Sequence, residues 1–381
     1  MEALVKIILV MLALQAAVAY LVFVERKIAA YMQDRIGPNR VGPRGLLQPV
    51  ADGLKFLFKE EIIPDHVDKV LFLLAPAIVL AAATLAFAVI PFGYVLPWWG
   101  GEPIELVIAP NVDIGLVYLF AIGSLAVYGV ILGGWASNNK YSFLGAMRSS
   151  AQVISYEVPL GLSVLGVVLL SGSLRLDNII EGQAQAGTWN VVVQPLGLFL
   201  FLASAFAEAG RLPFDLQEAE QELIGGYHTE YTGMKFGMFA LGEYTHMISA
   251  SFLTVILFLG GWHLWGVTPY TPGSEVTLLG ALLRIAVFGL KVFVMIFVFM
   301  WIRWSWPRFR FDQLMSIAWC SLVPLALANL VLTAFVTHYA LPAWRLTAGS
   351  IAVLVGTTWV VAGSKQGSGV GGRGSASHRV G

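Results

Sequence analysis

The chain has 381 residues, 57% of them apolar and 12% charged, with 23 basic and 23 acidic side chains and no formal net charge. That charged fraction is roughly half of a soluble domain's, and a neutral balance offers nucleic acid or another polyanion no electrostatic foothold. The single cysteine, Cys320, excludes an internal disulfide and any cysteine-ligated iron–sulfur or zinc site within the chain, so metal centres of any redox chemistry it serves belong to other chains.

No charged side chain occurs from Val70 to Gly101. About 20 residues suffice to cross a hydrocarbon core of ~30 Å, and this run lacks the polar stripe of a soluble core helix. The fold expected is an all-α polytopic membrane bundle, with apolar spans at 3–24, 70–92, 114–135, 153–172, 195–212, 236–262, 278–302, 314–337 and 346–362, the fifth and ninth short. Ala17-Val18-Ala19 could be read as a signal-peptidase site. The flank carries Glu2 beside Lys6 rather than a basic cluster, and the apolar run continues to Val24, so the first span is expected to be retained. With Arg211 at the end of the fifth span counted in the connection it opens, Lys and Arg number 18 after odd-numbered spans and 2 after even-numbered ones. The positive-inside rule then places the N-terminus in the periplasm and the odd connections in the cytoplasm. The expected organisation is a membrane domain over 1–362 and a flexible Gly/Ser-rich cytoplasmic tail over 363–381.

The first connection opens with Glu25-Arg26-Lys27 and continues from Arg35 to Pro43, where two Gly-Pro steps around Asn39-Arg40 preclude a helix. From Leu46 to Glu61, apolar Leu46, Leu47, Val50, Leu54, Leu57 and Phe58 recur at helical spacing, opposite Gln48, Asp52, Lys55 and Lys59. The segment is too short to span and predicts an amphipathic helix at the membrane interface. Glu157 falls about one turn inside the fourth span, where a carboxylate is costly unless neutral, paired or facing water.

The fifth connection is the most unusual. Seven of the 23 acids fall between Glu208 and Glu243: Glu208, Asp215, Glu218, Glu220, Glu222, Glu230 and Glu243. Glu218, Glu220 and Glu222 also fit a solvated helix face. Glu208 and Glu243 lie in apolar surroundings, and crowded carboxylates in low dielectric exchange protons nearer neutral pH, as a proton relay requires. Lys291 falls midway through the seventh span and predicts a carboxylate partner on a facing helix, either as a structural ion pair or in transport.

The stretches ERK, RIGPNRVGP, GLLQPVADG, ISYE, AEAGRLPFDL, GYHTEYTGMKF and PRFRFDQLM, in this order, resemble the H-subunit family of NADH-quinone oxidoreductase (respiratory complex I), the counterpart of mitochondrial NADH dehydrogenase subunit 1. The resemblance covers most of the chain. It implies eight core transmembrane helices with the interfacial helix described above, and the ninth span and glycine-rich tail extend beyond that core as peripheral additions. It implies a protein inactive alone, in the inner membrane of a bacterial cell, that forms the quinone access chamber and the start of the proton-coupling pathway. Ubiquinone or menaquinone would be the substrate, and NADH, FMN and iron–sulfur clusters would sit on partner subunits. The partners implied are the peripheral quinone-site and terminal iron–sulfur subunits, small membrane subunits and antiporter-like subunits, with no metal in this chain. By matching position, Glu25, Arg26, Arg35 and Asp52 would line the chamber or its entrance. Glu157, Glu208, Asp215, Glu218, Glu220, Glu222, Glu230 and Glu243 would form an acidic funnel with Arg211 as counter-charge. Two positions depart from the family pattern: Cys320 follows Trp319 where lysine is usual, and Phe311 precedes Asp312 where tyrosine is common.

Other classes fit less well. A transporter built from duplicated halves would show an internal repeat. A membrane cytochrome needs two facing histidines, and only His246 lies well inside a span. A metal site from Asp215, Glu218 and His228 is the kind of cluster acidic loops produce by chance. The remaining alternative is a homologous subunit of a hydrogenase or ferredoxin-linked ion pump that binds no quinone, against which the GPNRVGP and GYHTEYTG segments argue.

Overall fold

The structure, a computed structural model, describes residues 2–97, 103–215, 224–265, 267–268 and 277–368. Its elements are α1 (Glu2–Met32), α2 (Gln48–Phe58), α3 (Lys69–Leu85), a hairpin of β1 (Val95–Leu96) and β2 (Ile104–Glu105), α4 (Gly115–Ala136), α5 (Lys140–Ser171), α6 (Leu176–Ala186), α7 (Asn190–Val193), α8 (Pro195–Glu208), α9 (Gly233–Phe258), α10 (Leu278–Ser305), α11 (Phe311–His338) and α12 (Ala343–Ser368). Among the described residues, seven helices are long and apolar enough to cross a membrane: α1, α3 with its 3-10 extension to Ala88, α4, α5, α9, α10 and α11. The chain is thus an all-α polytopic membrane bundle. The expected fifth span is α8, whose 14 residues extend only about 21 Å, and the expected ninth lies within α12.

Helix α5 begins at Lys140, well before the apolar run that marks the span. Asn139 caps it, its side chain accepting from the Tyr141 amide at 3.0 Å. The polar residues of its first half turn inward, so that Ser142, Ser149, Ser150 and Gln152 are buried while Leu144 and Met147 remain exposed. Gly172, at φ 65°, ends it in the left-handed conformation. The bundle core joins Tyr156 of α5 and Phe201 of α8 to Phe299 of α10, with Phe206 stacked on Phe299 at 4.1 Å. A π-helical turn, Ile317–Leu322, interrupts α11 and brings the Trp319 indole within 3.2 Å of the Ser155 hydroxyl.

The first connection is irregular, as the Gly-Pro steps require. A Cβ on Gly45, at φ 85°, would lie 2.2 Å from the Pro38 carbonyl oxygen, so only glycine fits. The amphipathic helix is α2, 11 residues long. Val50, Leu54, Leu57 and Phe58 stay exposed on it, while Phe56 meets Phe236 of α9 at 6.4 Å.

Lys291 of α10 has a different partner from the one expected. Its ammonium donates to the carbonyls of Leu259 (2.6 Å), Gly261 (3.0 Å) and His263 (2.6 Å), and lies 4.3 Å from the centre of the Trp189 ring. Helix α9 ends at Phe258 and leaves its last carbonyls without intrahelical donors. The Leu259, Gly261 and His263 carbonyls lie just past that end, where a cation meets them and the negative end of the helix dipole together, so no carboxylate is required.

At the same end of the bundle, α6 carries Asp177. Burial pushes its carboxyl up from 3.8 to about 6, Arg175 opposes that, and Glu105 and Glu181 add to it. The folded chain therefore keeps this proton to higher pH than the unfolded chain, and folding loses stability as pH rises from about 4 to about 6, after which the penalty is constant. Asp177→Asn is expected to raise the melting temperature at pH 8 by a few degrees, and by less at pH 5. Melting curves of the purified protein at the two pH values measure this difference.

Candidate functional site

Glu25 stands near the end of α1, with two apolar turns before it, and its side chain is only 6% exposed. A buried carboxylate persists when cations and donors surround it. Here Arg303 of α10 is hydrogen-bonded to Oε1, the Tyr244 hydroxyl donates to Oε2 at 2.7 Å, and Arg211 lies 3.8 Å from Oε2. The buried Arg211 guanidinium also covers the Tyr244 ring at 4.0 Å, while its Nε and Nη2 have no hydrogen-bond partner among the described residues. The same turn of α1 is tied outward as well: Arg26 Nη1 reaches Asp52 of α2 at 2.5 Å, and Gln48 donates to the same carboxylate at 3.1 Å.

These residues edge a cavity of about 450 Å³. Glu25, Arg26, Arg35, Tyr244 and Arg303 give it polar groups, and Val22, Ala29, Ala30, Ile36 and Trp304 give it an apolar wall. A site of this size and mixed lining suits a flat apolar molecule with a few polar atoms. Asp52 is reached through Arg26 and does not itself line the cavity.

The acids of the expected funnel divide into three settings. Glu208, at the end of α8, and Glu243, in α9, line one internal cavity of about 50 Å³, with the Tyr227 hydroxyl donating to Glu243 at 3.1 Å. Glu157 of α5 is close enough for its charge to act on Glu208. Asp215 is buried and takes a hydrogen bond from Arg308 at 3.1 Å. Glu230 accepts from Asn139 at 2.7 Å, at the start of α5. Arg211 has its direct ion pair with Glu25, and the Glu243 charge also acts on it. It therefore lies between the Glu25 cluster and Glu243. Glu218, Glu220 and Glu222 lie outside the described residues, as does part of the supposed Asp215, Glu218 and His228 set. Among the described residues no group of three or more potential ligands forms a metal site.

Two further contributors emerge only from the packing. Gln152 donates to the carbonyls of Ala207 (2.8 Å) and Phe214 (2.7 Å), holding the end of α8 and the following loop against α5. Tyr244 adjoins Glu243 in sequence but turns toward Glu25 across the bundle. A glutamine in the first half of α5 and a tyrosine beside an intramembrane acid are the only signals the sequence carries, and neither names its partner.

The chain is also similar in sequence to known proteins. The family model for NADH dehydrogenase matches residues 5–334. The chain is 48% identical over 319 residues to NADH-quinone oxidoreductase H-subunit 1 of Cytophaga hutchinsonii, covering 82% of this chain and 90% of that one. It is 49% identical over 331 residues to NADH-quinone oxidoreductase H-subunit 1 of Geobacter metallireducens, covering 87% and 95%. It is 50% identical over 317 residues to NADH-quinone oxidoreductase H-subunit 2 of Rhizobium meliloti, covering 83% and 91%. With the family model spanning most of its length and relatives this close, the chain belongs to the H-subunit family of NADH-quinone oxidoreductase and is a multi-pass membrane component of that enzyme complex.

Proposed function

We propose that this protein forms the membrane half of the quinone access chamber and begins the path that couples quinone reduction to proton movement. The observation that supports the reading is the cavity of about 450 Å³ beside Glu25, Arg26 and Arg35, next to an α2 helix whose apolar side chains are uncovered. A quinone, ubiquinone or menaquinone, leaves the bilayer along that apolar surface without crossing water. Its carbonyls accept hydrogen bonds from arginine donors, and its tail meets Val22, Ala29 and Ile36. Arg211 and Arg303 stabilise the negative charge that reduction brings to the chamber. That charge is felt at Glu243 through Arg211, and Glu208 and Glu157 follow because their titrations are coupled. NADH, FMN and iron–sulfur clusters reside on peripheral partner subunits, and antiporter-like membrane subunits continue the path. The 18-to-2 division of Lys and Arg supports a periplasmic N-terminus and a cytoplasmic chamber in the bacterial inner membrane.

A photoreactive quinone analogue tests the chamber. Irradiated with the intact complex, it is expected to label the segments around Val22–Arg26 and Arg35–Pro38, with excess natural quinone suppressing the label. Labelling confined to the lipid-facing sides of α1 and α10 would remove the chamber assignment.

A further inference from the structure

Two internal cavities adjoin His246 of α9, one of about 20 Å³ and one of about 50 Å³, and both have Gly123, Glu208, Ala209 and His246 in their walls. The larger also meets Glu243 and Tyr227, and the smaller meets Ser249. About 10–15 Å³ of such space admits one water, so the smaller cavity has room for one and the larger for a few. Glu243, His246 and Ser249 follow one another at three-residue spacing and share a face of α9. The other walls, from α3, α4, α5 and α8, are apolar apart from Ser149 and Glu208. Glu208, Glu243 and Tyr227 are thus the other titratable groups in the walls of these cavities.

The buried Nε2 of His246 has no hydrogen-bond partner among the described residues. Leaving a buried polar atom unpaired costs about 1–3 kcal/mol, and an unpaired atom beside a cavity with carboxylates in its wall marks a place for water or for chemistry. A bound water needs two to four polar partners. Glu208 and Glu243 supply two of them from different helices, and His246 stands in the same cavity wall. Gly123 faces the Glu208 carboxylate, since a Cβ there would make ordinary contact with Oε1 at 3.6 Å.

We propose that His246 is a positioning residue that holds water through Nε2 where the two cavities meet, joining Glu208 to Glu243 in one hydrogen-bonded path. A proton given up by one carboxylate enters the water, which releases another to the second carboxylate. The water and the imidazole end each passage with the charge they began with. The inference rests on the relay reading of these carboxylates and adds to it the residue that keeps the connection wet.

The test compares His246→Leu with His246→Gln in the intact complex. Leu removes the polar atom, whereas Gln keeps one at similar reach. His246→Leu is expected to lower NADH:quinone turnover and proton pumping about fivefold, with NADH:ferricyanide reduction unchanged, and His246→Gln to retain more than half of both activities. Normal turnover in the leucine variant overturns the inference, and so does equal loss in both variants, which would mean that ring shape matters rather than a polar atom. If the leucine variant does not assemble, a map of the wild-type complex that resolves waters decides instead. Density joining Nε2 to both carboxylates supports the bridge, and two dry cavities overturn it. Glu208→Gln measured alongside separates the two levels. Normal turnover there removes Glu208 from the relay and this inference with it, whereas an impaired Glu208→Gln beside a normal His246→Leu removes the bridge alone.

Discussion

Glu25→Gln is expected to lower NADH:quinone turnover at least tenfold in the assembled complex. The substitution keeps the shape of the side chain and removes its charge. Arg303 and Arg211 then lose the carboxylate that lies against both, Arg211 being itself only 5% exposed. Removing one partner of a buried ion pair costs about 3–5 kcal/mol because the other charge stays buried. Two arginines share this partner, so the loss is at the upper end of what one substitution does. The guanidinium groups must turn toward solvent or toward each other's space, and either movement alters the polar edge of the cavity. Electron entry is remote from this site, so NADH:ferricyanide reduction in the same membranes reports assembly. Wild-type quinone turnover at equal ferricyanide activity would show that the Glu25 cluster is structural scaffolding with no bearing on the chamber.

The second large effect is at Glu208. Glu208→Gln keeps the volume of the side chain facing Gly123 and removes the group proposed to bind and release a proton. Quinone reduction and pumping are expected to fall together by about tenfold, because a coupled enzyme cannot turn over when its proton path is closed. Proton uptake by vesicles, measured with a fluorescent pH probe beside quinone-dependent NADH oxidation, gives both rates. Glu218→Gln carries the same expectation from the sequence, although Glu218 lies outside the described residues. Normal pumping in both variants would withdraw the relay role from these carboxylates.

The solvent of this protein, its helical class and its family are all legible in the order of its residues. Each is a local property: a charge-free run of about 20 residues reads as a span wherever it packs, and Gly-Pro steps forbid helix whatever surrounds them. The motifs from Glu25 to Met315 likewise point to the family without reference to contacts. Even the length of α5 is partly legible, since Asn139 is a capping residue type and Ser142, Ser149 and Gln152 are spaced for one helical face. Polarity conceals it, because an inward-facing serine and a solvent-facing one read alike in a single chain.

Which charge answers which is a matter of packing. The sequence predicts a carboxylate for Lys291, which instead meets three carbonyls at the end of α9. A helix terminus 28–32 residues away in sequence supplies a partial negative charge that no acidic letter announces. Arg211, four residues from Asp215, has its ion pair with Glu25, and Asp215 receives Arg308. Glu208 and Glu243 meet a shared cavity from different helices, while Tyr244, one residue from Glu243, turns to Glu25. Successive residues on a helix are about 100° apart, so neighbours in sequence face different parts of the bundle. Pairing in a membrane interior depends on which faces the helices present to one another, and that is settled by packing over the whole bundle rather than by any segment alone.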